Sequence, residues 1–180
     1  MNTHIQIFSS LFSKWVTIIG VFFFLIIFNQ KSYSAIPIDE TPPQFSLGGG
    51  YFDIGRKKTC CGLFQAEYKF GKILWRYLRP HAGLMTAELE STYLYLGLGV
   101  ELYLTSHWVF TPSFSPGLYF NGCGKNLGIP IEFRSAVEFA YEFSTKIRGG
   151  VQFYHISNAH LSHRNPGANE LVFFVAIPLY

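Results

Sequence analysis

The chain has 180 residues, of which 49% are hydrophobic and 18% aromatic, with a formal net charge of +3. That length leaves room for one domain once any targeting segment is set aside. The cations, among them Arg56, Lys57, Lys58, Lys72, Arg76, Arg79 and Lys125, are dispersed, and without a dense basic block the composition argues against nucleic acid as a partner.

The N-terminus carries the first organised signal. Lys14 precedes "WVTIIGVFFFLIIF" (Trp15 to Phe28), an apolar run of the length and position of a signal-peptide core. Ser32 and Ser34 sit ahead of Ala35, which places cleavage near residue 35. Residues 1–35 are therefore expected to be a signal peptide, with an uncleaved anchor as the alternative; either implies export. Residues 36–43 form a short proline-containing leader. Three cysteines, Cys60, Cys61 and Cys123, follow in turn-like text with no metal-site spacing. In an oxidising compartment, one bridge from Cys60 or Cys61 to Cys123 would leave an odd thiol.

From residue 44 the text changes to eight runs broken by turn residues, at about 44–54, 62–70, 73–88, 91–105, 107–121, 129–143, 145–158 and 169–180. Several alternate with the period of a strand. In the second, Phe64, Ala66, Tyr68 and Phe70 share one face and Gln65, Glu67 and Lys69 the other. In the fourth, Leu94, Leu96, Leu98, Val100, Leu102 and Leu104 oppose tyrosines, glycines and Glu101. In the sixth, Phe133, Val137, Phe139, Tyr141 and Phe143 oppose Glu132, Arg134, Glu138 and Glu142.

Soluble sandwiches alternate too, but their strands are shorter. These runs reach the roughly nine to eleven residues that a tilted strand needs to cross hydrocarbon. In lipid only a closed barrel leaves no unpaired strand edge, and eight is a common small even count. The expectation is an all-β, eight-stranded antiparallel transmembrane β-barrel over residues 44–180. Tight turns are expected near Gly71-Lys72, Ser106 and Ser144-Thr145. Longer loops contain "GRKKTCC", "NGCGKNLG" and "AHLSHRNPGA", with "AELES" intermediate, so the two ends of the barrel differ.

The seventh run holds the chemistry. Arg148 and Gln152 put the even face inward, so Ile147, Val151 and Phe153 face lipid, and His155 and Ser157 continue that outward face. Two apart on one strand, their side chains lie on the same side. A histidine beside a serine can deprotonate the hydroxyl as it attacks an acyl carbon, and a carboxylate behind the imidazole would stabilise its charged form. Glu170, the carboxylate of the next strand, can approach His155 if the even face of that strand is the lipid face; both of its faces are apolar, so parity leaves the point open.

The motif "HISNA", then "NPG" and a final strand, resembles the PagL family of outer-membrane lipid A 3-O-deacylases, most specifically over Phe153 to Tyr180. The resemblance implies a carboxylic ester hydrolase of the outer membrane acting on the 3-O-linked acyl chain of lipid A in lipopolysaccharide. It implies His155 as general base, Ser157 as nucleophile and Asn158 as oxyanion-hole residue. The acidic member falls on Glu170 when counted back from the chain end and on Asn169 when counted forward from "HISNA"; Glu170 is preferred because an amide cannot stabilise an imidazolium as a carboxylate does. No metal or other cofactor is implied. Lipid A and the outer membrane are the expected partners, with room for a homodimer.

Other polar residues read more plainly. His160 and His163 are expected in a solvated loop, and His81 and His107 near strand ends. Arg164, Lys57, Lys58 and Lys125 are expected at the outward rim, where they could reach lipid A phosphates. Glu67, Glu101, Arg134, Glu138 and Arg148 should form an interior network. The alternative to an enzyme is a non-catalytic small barrel that anchors or stiffens the membrane.

Overall fold

The computed structural model describes residues 41–54, 60–71, 78–88 and 90–180. The expected signal segment and most of the leader lie outside them. The strands are β1 (Gln44–Phe52), β2 (Cys61–Lys69), β3 (Leu78–Ala87), β4 (Thr92–Val100), the two-residue β5 (Leu102–Tyr103), β6 (Trp108–Phe120), β7 (Ile131–Glu142), β8 (Arg148–Ser157) and β9 (Ala168–Pro178). Each long strand pairs antiparallel with the next, β9 pairs with β1, and β4 pairs with β6, so the sheet closes on itself. With β5 continuing β4 along β6, this is an eight-stranded antiparallel barrel.

The division of β4 from β5 has a local cause. Gly99 pairs with Ser113 and Leu102 with Phe110, which places Pro112 opposite Val100. Proline has no N–H to give to the ladder. Its other edge still faces β7, where it lies opposite Val137. The fourth run of the sequence is therefore one barrel strand with an interrupted ladder.

Alternation along each strand sorts the side chains as the hydrophobic pattern predicts. Leu94, Leu96 and Leu98 are exposed on the outer wall while Tyr93 and Tyr95 are buried inside; on β7, Val137 and Phe139 are exposed while Glu132, Arg134, Glu138 and Glu142 are buried. Such a surface is stable only against lipid.

Many of the interior polar groups pair with one another, while the buried carboxylates of Glu132 and Glu170 have no hydrogen-bond partner among the described residues. Lys69 Nζ donates to both carboxylate oxygens of Glu138, at 2.6 and 2.7 Å, and Gln152 Nε2 donates to Glu138 Oε2 at 2.6 Å. Gln65 Nε2 and Arg134 Nη2 both donate to Gln152 Oε1, and the Arg134 guanidinium lies over the rings of Tyr154 and Tyr95. Nearer the short-turn end, Glu101 Oε1 accepts from Arg79 Nη1 and Arg148 Nη1, each at 2.6 Å.

That last arrangement makes a stability prediction. Glu101→Leu leaves two buried guanidiniums without their shared carboxylate, and removing one partner of a buried ion pair costs about 3–5 kcal/mol. Arg148 retains Glu142, and Arg79 retains two backbone carbonyls, so the lower end of that range is expected. Urea unfolding of the barrel in lipid vesicles measures it; an unchanged midpoint would show that the carboxylate is dispensable.

Residues 72–77 lie outside the described set, so the tight turn expected at Gly71-Lys72 falls partly outside it, and the described part of β3 begins at Leu78. The end bearing residues 121–130 and 158–167 carries the site.

Candidate active site

β8 ends where Asn158 takes over the backbone. His160 N–H donates to Asn158 Oδ1 at 3.1 Å and Leu161 N–H to Asn158 O at 2.9 Å, forming a side-chain-supported turn in which Ala159 and His160 both adopt positive φ. The Asn158 amide then stitches two loops together, donating from Nδ2 to Leu127 O at 3.0 Å and to Arg164 O at 2.9 Å. Its backbone N–H donates to Asn165 Oδ1 at 3.1 Å. All three N–H donors of Asn158 are thus engaged within the loop framework, and the residue is fully buried. Asn158, expected at the oxyanion hole, here has its donors on the turn that terminates the strand just after Ser157.

His155 and Ser157 both lie on the outer wall, partly covered, while Tyr154 and Ile156 between and beside them are buried inside. Their neighbours on β7 are Ser135, opposite His155, and Phe133, opposite Ser157. Across the other edge, β9 places Asn169 opposite His155 and Glu170 opposite Tyr154. His155 Nδ1 and Asn169 Oδ1 are 2.8 Å apart. With the amide oxygen as acceptor, Nδ1 carries the proton and Nε2 is left as the basic nitrogen.

The structure therefore does not bring Glu170 to His155. On β9 the exposed residues are Phe173, Val175 and Ile177, and the buried ones are Glu170, Val172, Phe174 and Ala176. Glu170 shares the parity of the inner set, so its carboxylate lies within the barrel on the far side of the wall from His155. Both candidate positions had apolar companions in the sequence, which is why parity left the choice open; only the pairing of β9 with β1 and β8 decides which set faces lipid.

The remaining polar candidates separate in the same way. Lys125, expected at the rim, is buried, with Nζ 2.7 Å from Asp53 Oδ1. His81, expected near a strand end, is an interior residue with Nε2 2.8 Å from Ser115 Oγ. His107 is exposed, with Nδ1 3.0 Å from the Glu142 carbonyl and its ring stacked on Tyr141. His160, His163 and Arg164 are exposed in the β8–β9 loop, and Lys57 and Lys58 lie outside the described residues. Cys60 and Cys123 are exposed, and Cys61 is half-buried at the start of β2. Among the described residues no group of three or more His, Cys, Asp or Glu is arranged to hold a metal ion.

Two neighbours of His155 were missed in the sequence. Ser135 is a polar interruption in the outward stripe of β7, between Phe133 and Val137, and that break in pattern was readable. Gly167 was not: a Cβ at this position would lie 2.6 Å from Cε1 and 2.9 Å from Nε2 of His155. Loop text alone does not show which side chain a glycine faces.

A closed antiparallel barrel, apolar outside and charged inside, with a histidine and a serine on the lipid face near one rim, defines a membrane-embedded barrel whose polar site opens to lipid. The family model described as lipid A 3-O-deacylase (PagL) matches residues 63–178, and the chain belongs to that family of outer-membrane hydrolases. Among solved structures, a crystal structure of the outer-membrane enzyme PagL matches with a TM-score of 0.61 and 19% identity, covering 76% of this chain and 99% of that one. A de novo designed transmembrane β-barrel matches with a TM-score of 0.51 and 12% identity, covering 77% and 96%. At those identities the two structures support the fold alone. No curated protein sequence matches this chain.

Proposed function

We propose that this chain is an exported serine esterase that removes the 3-O-linked acyl chain of lipid A, with Ser157 as nucleophile, His155 as general base and Asn169 as the residue that orients the imidazole. The observation that carries the reading is the His155 Nδ1–Asn169 Oδ1 hydrogen bond, made on a wall that is otherwise mostly apolar. A polar cluster on a lipid-facing wall is costly unless it serves a function. A substrate that is itself a membrane lipid supplies one, since its acyl chains can lie along the wall without leaving the bilayer.

The chemistry follows from the tautomer. Consecutive outward side chains on a strand arise from residues roughly 6.5–7 Å apart along the backbone, within the reach of a His–Ser hydrogen bond. Ser157 Oγ attacks the ester carbonyl carbon while His155 Nε2 takes the hydroxyl proton. The carbon–oxygen bond to the sugar then breaks, and the imidazolium returns its proton to the departing 3-hydroxyl oxygen. Water attacks the acylated serine with His155 again as base, releasing the fatty acid and restoring Ser157. Asn169 holds the ring orientation throughout, but as a neutral amide it contributes less to the imidazolium than a carboxylate would. Glu170, inside the barrel, takes no part in this scheme.

The test is mass spectrometry of lipid A from a bacterial host that retains its 3-O-linked chains, with and without the full chain. Expression should convert lipid A to a form lighter by one 3-O-linked acyl group, with the free fatty acid recovered. A lipid A profile identical to that of the empty vector would sink the proposal and favour the non-catalytic barrel.

A further inference from the structure

His155 is packed against backbone that is held from inside the barrel. Gly167, the last residue before β9, adopts φ 58°. Its Cα faces the imidazole edge bearing Cε1 and Nε2, so closely that a Cβ would collide with both atoms. The carbonyl of this same residue accepts a hydrogen bond from Lys125 Nζ. Lys125 belongs to the loop between β6 and β7, and its ammonium also pairs with Asp53 Oδ1 at 2.7 Å.

The partner carboxylate reaches the site by a second route. Asp53 directly follows β1, and the next residue, Ile54, donates its N–H to the carbonyl of Asn169 at 2.8 Å. Asn169 is the residue whose side chain accepts from His155. Lys125 and Asp53 are both at least nine-tenths buried, and the Lys125 carbonyl is itself anchored by Tyr119 Oη at 2.8 Å. One ion pair thus ties the β1–β2, β6–β7 and β8–β9 connections to the two residues that touch the imidazole.

We infer that the buried Asp53–Lys125 ion pair is a positioning device for His155, acting through Gly167 on one side of the ring and through Ile54 and Asn169 on the other. This rests on the reading of His155 as the base. Loss of the lysine frees the Gly167 carbonyl and removes the cation that ties it to Asp53, so the loops must rearrange where they contact the ring. A small displacement of a catalytic group lowers turnover more than it lowers substrate binding, because the substrate is held elsewhere on the wall.

The full-length protein, refolded in detergent micelles, tests this with lipid A as substrate and histidine carrying isotope labels. Lys125→Met should lower kcat by about 10- to 100-fold, the scale of a misplacement near 1 Å, with KM little changed. It should also move the His155 Cε1–H resonance, while Lys125→Arg restores most of both. Lys146→Met, which breaks a partly exposed pair with Glu142 at the opposite end, should leave kcat and the resonance as they are. Native kcat together with an unmoved resonance in folded Lys125→Met would overturn the inference. Should that variant fail to assemble, Asp53→Asn carries the same comparison: reduced kcat and a moved resonance support the device, and native values refute it. Full activity in Ser157→Ala would instead refute the assignment of Ser157 and His155 as nucleophile and base, while the resonance still decides whether the ion pair positions the ring.

Discussion

Ser157→Ala is expected to lower 3-O-deacylation by about four orders of magnitude or more, the scale seen when the nucleophile of a serine hydrolase is removed. The hydroxyl is the atom that becomes acylated, and no neighbouring group in the outward cluster replaces it in line with His155. Ser135 lies opposite His155 on β7 but on the other side of the ring from Asn169, so it is the residue to exclude experimentally. His155→Ala should cost a similar amount, and the double variant little more than either, because the two act as one unit. Fatty-acid release from lipid A by purified, refolded barrel measures all three. Ser157→Ala retaining a tenth of the native rate, or Ser135→Ala losing as much as Ser157→Ala, would rule out Ser157 as the nucleophile.

The second large effect concerns the residue behind the imidazole. Asn169→Asp keeps the size of the side chain and its acceptor oxygen while adding a charge 2.8 Å from Nδ1 at the native geometry. In serine hydrolases an amide in place of the carboxylate costs about 10⁴, partly through the wrong tautomer. Here the amide already accepts from Nδ1, so only the missing charge is recovered. An increase in kcat of roughly ten- to a hundredfold is expected for Asn169→Asp, and a loss of similar size for Asn169→Ala. The added carboxylate sits near the rim, where a charge on a barrel's outer wall costs least. Glu170→Gln, inside the barrel, should leave kcat nearly unchanged. The opposite result, with activity lost in Glu170→Gln and kept in Asn169→Ala, would return the acidic role to Glu170 and require β9 to shift by one residue.

Much of the barrel was readable before any coordinates. The alternation of Phe64, Ala66 and Tyr68 with Gln65, Glu67 and Lys69 marks two faces, and a strand has no other way to separate them. The outward placement of His155 and Ser157 followed from Arg148 and Gln152 on the same strand.

The difference between Asn169 and Glu170 shows where sequence stops. Both faces of β9 are apolar, so its pattern is nearly the same whichever one meets lipid, and a shift of one residue exchanges every side chain between the wall and the interior. Register against β1 and β8 sends Asn169 outward to His155 and Glu170 inward beside Tyr154. Lys125 makes the same point for a loop: as text it is one more surface cation, and only the convergence of three connections buries it against Asp53 and the Gly167 carbonyl. Period and composition determined by themselves that the chain builds a lipid-facing barrel with a histidine and a serine on its outer wall. Which residue stands behind that histidine, and what holds the ring in place, depended on pairings between strands and loops distant in sequence, which no local periodicity encodes.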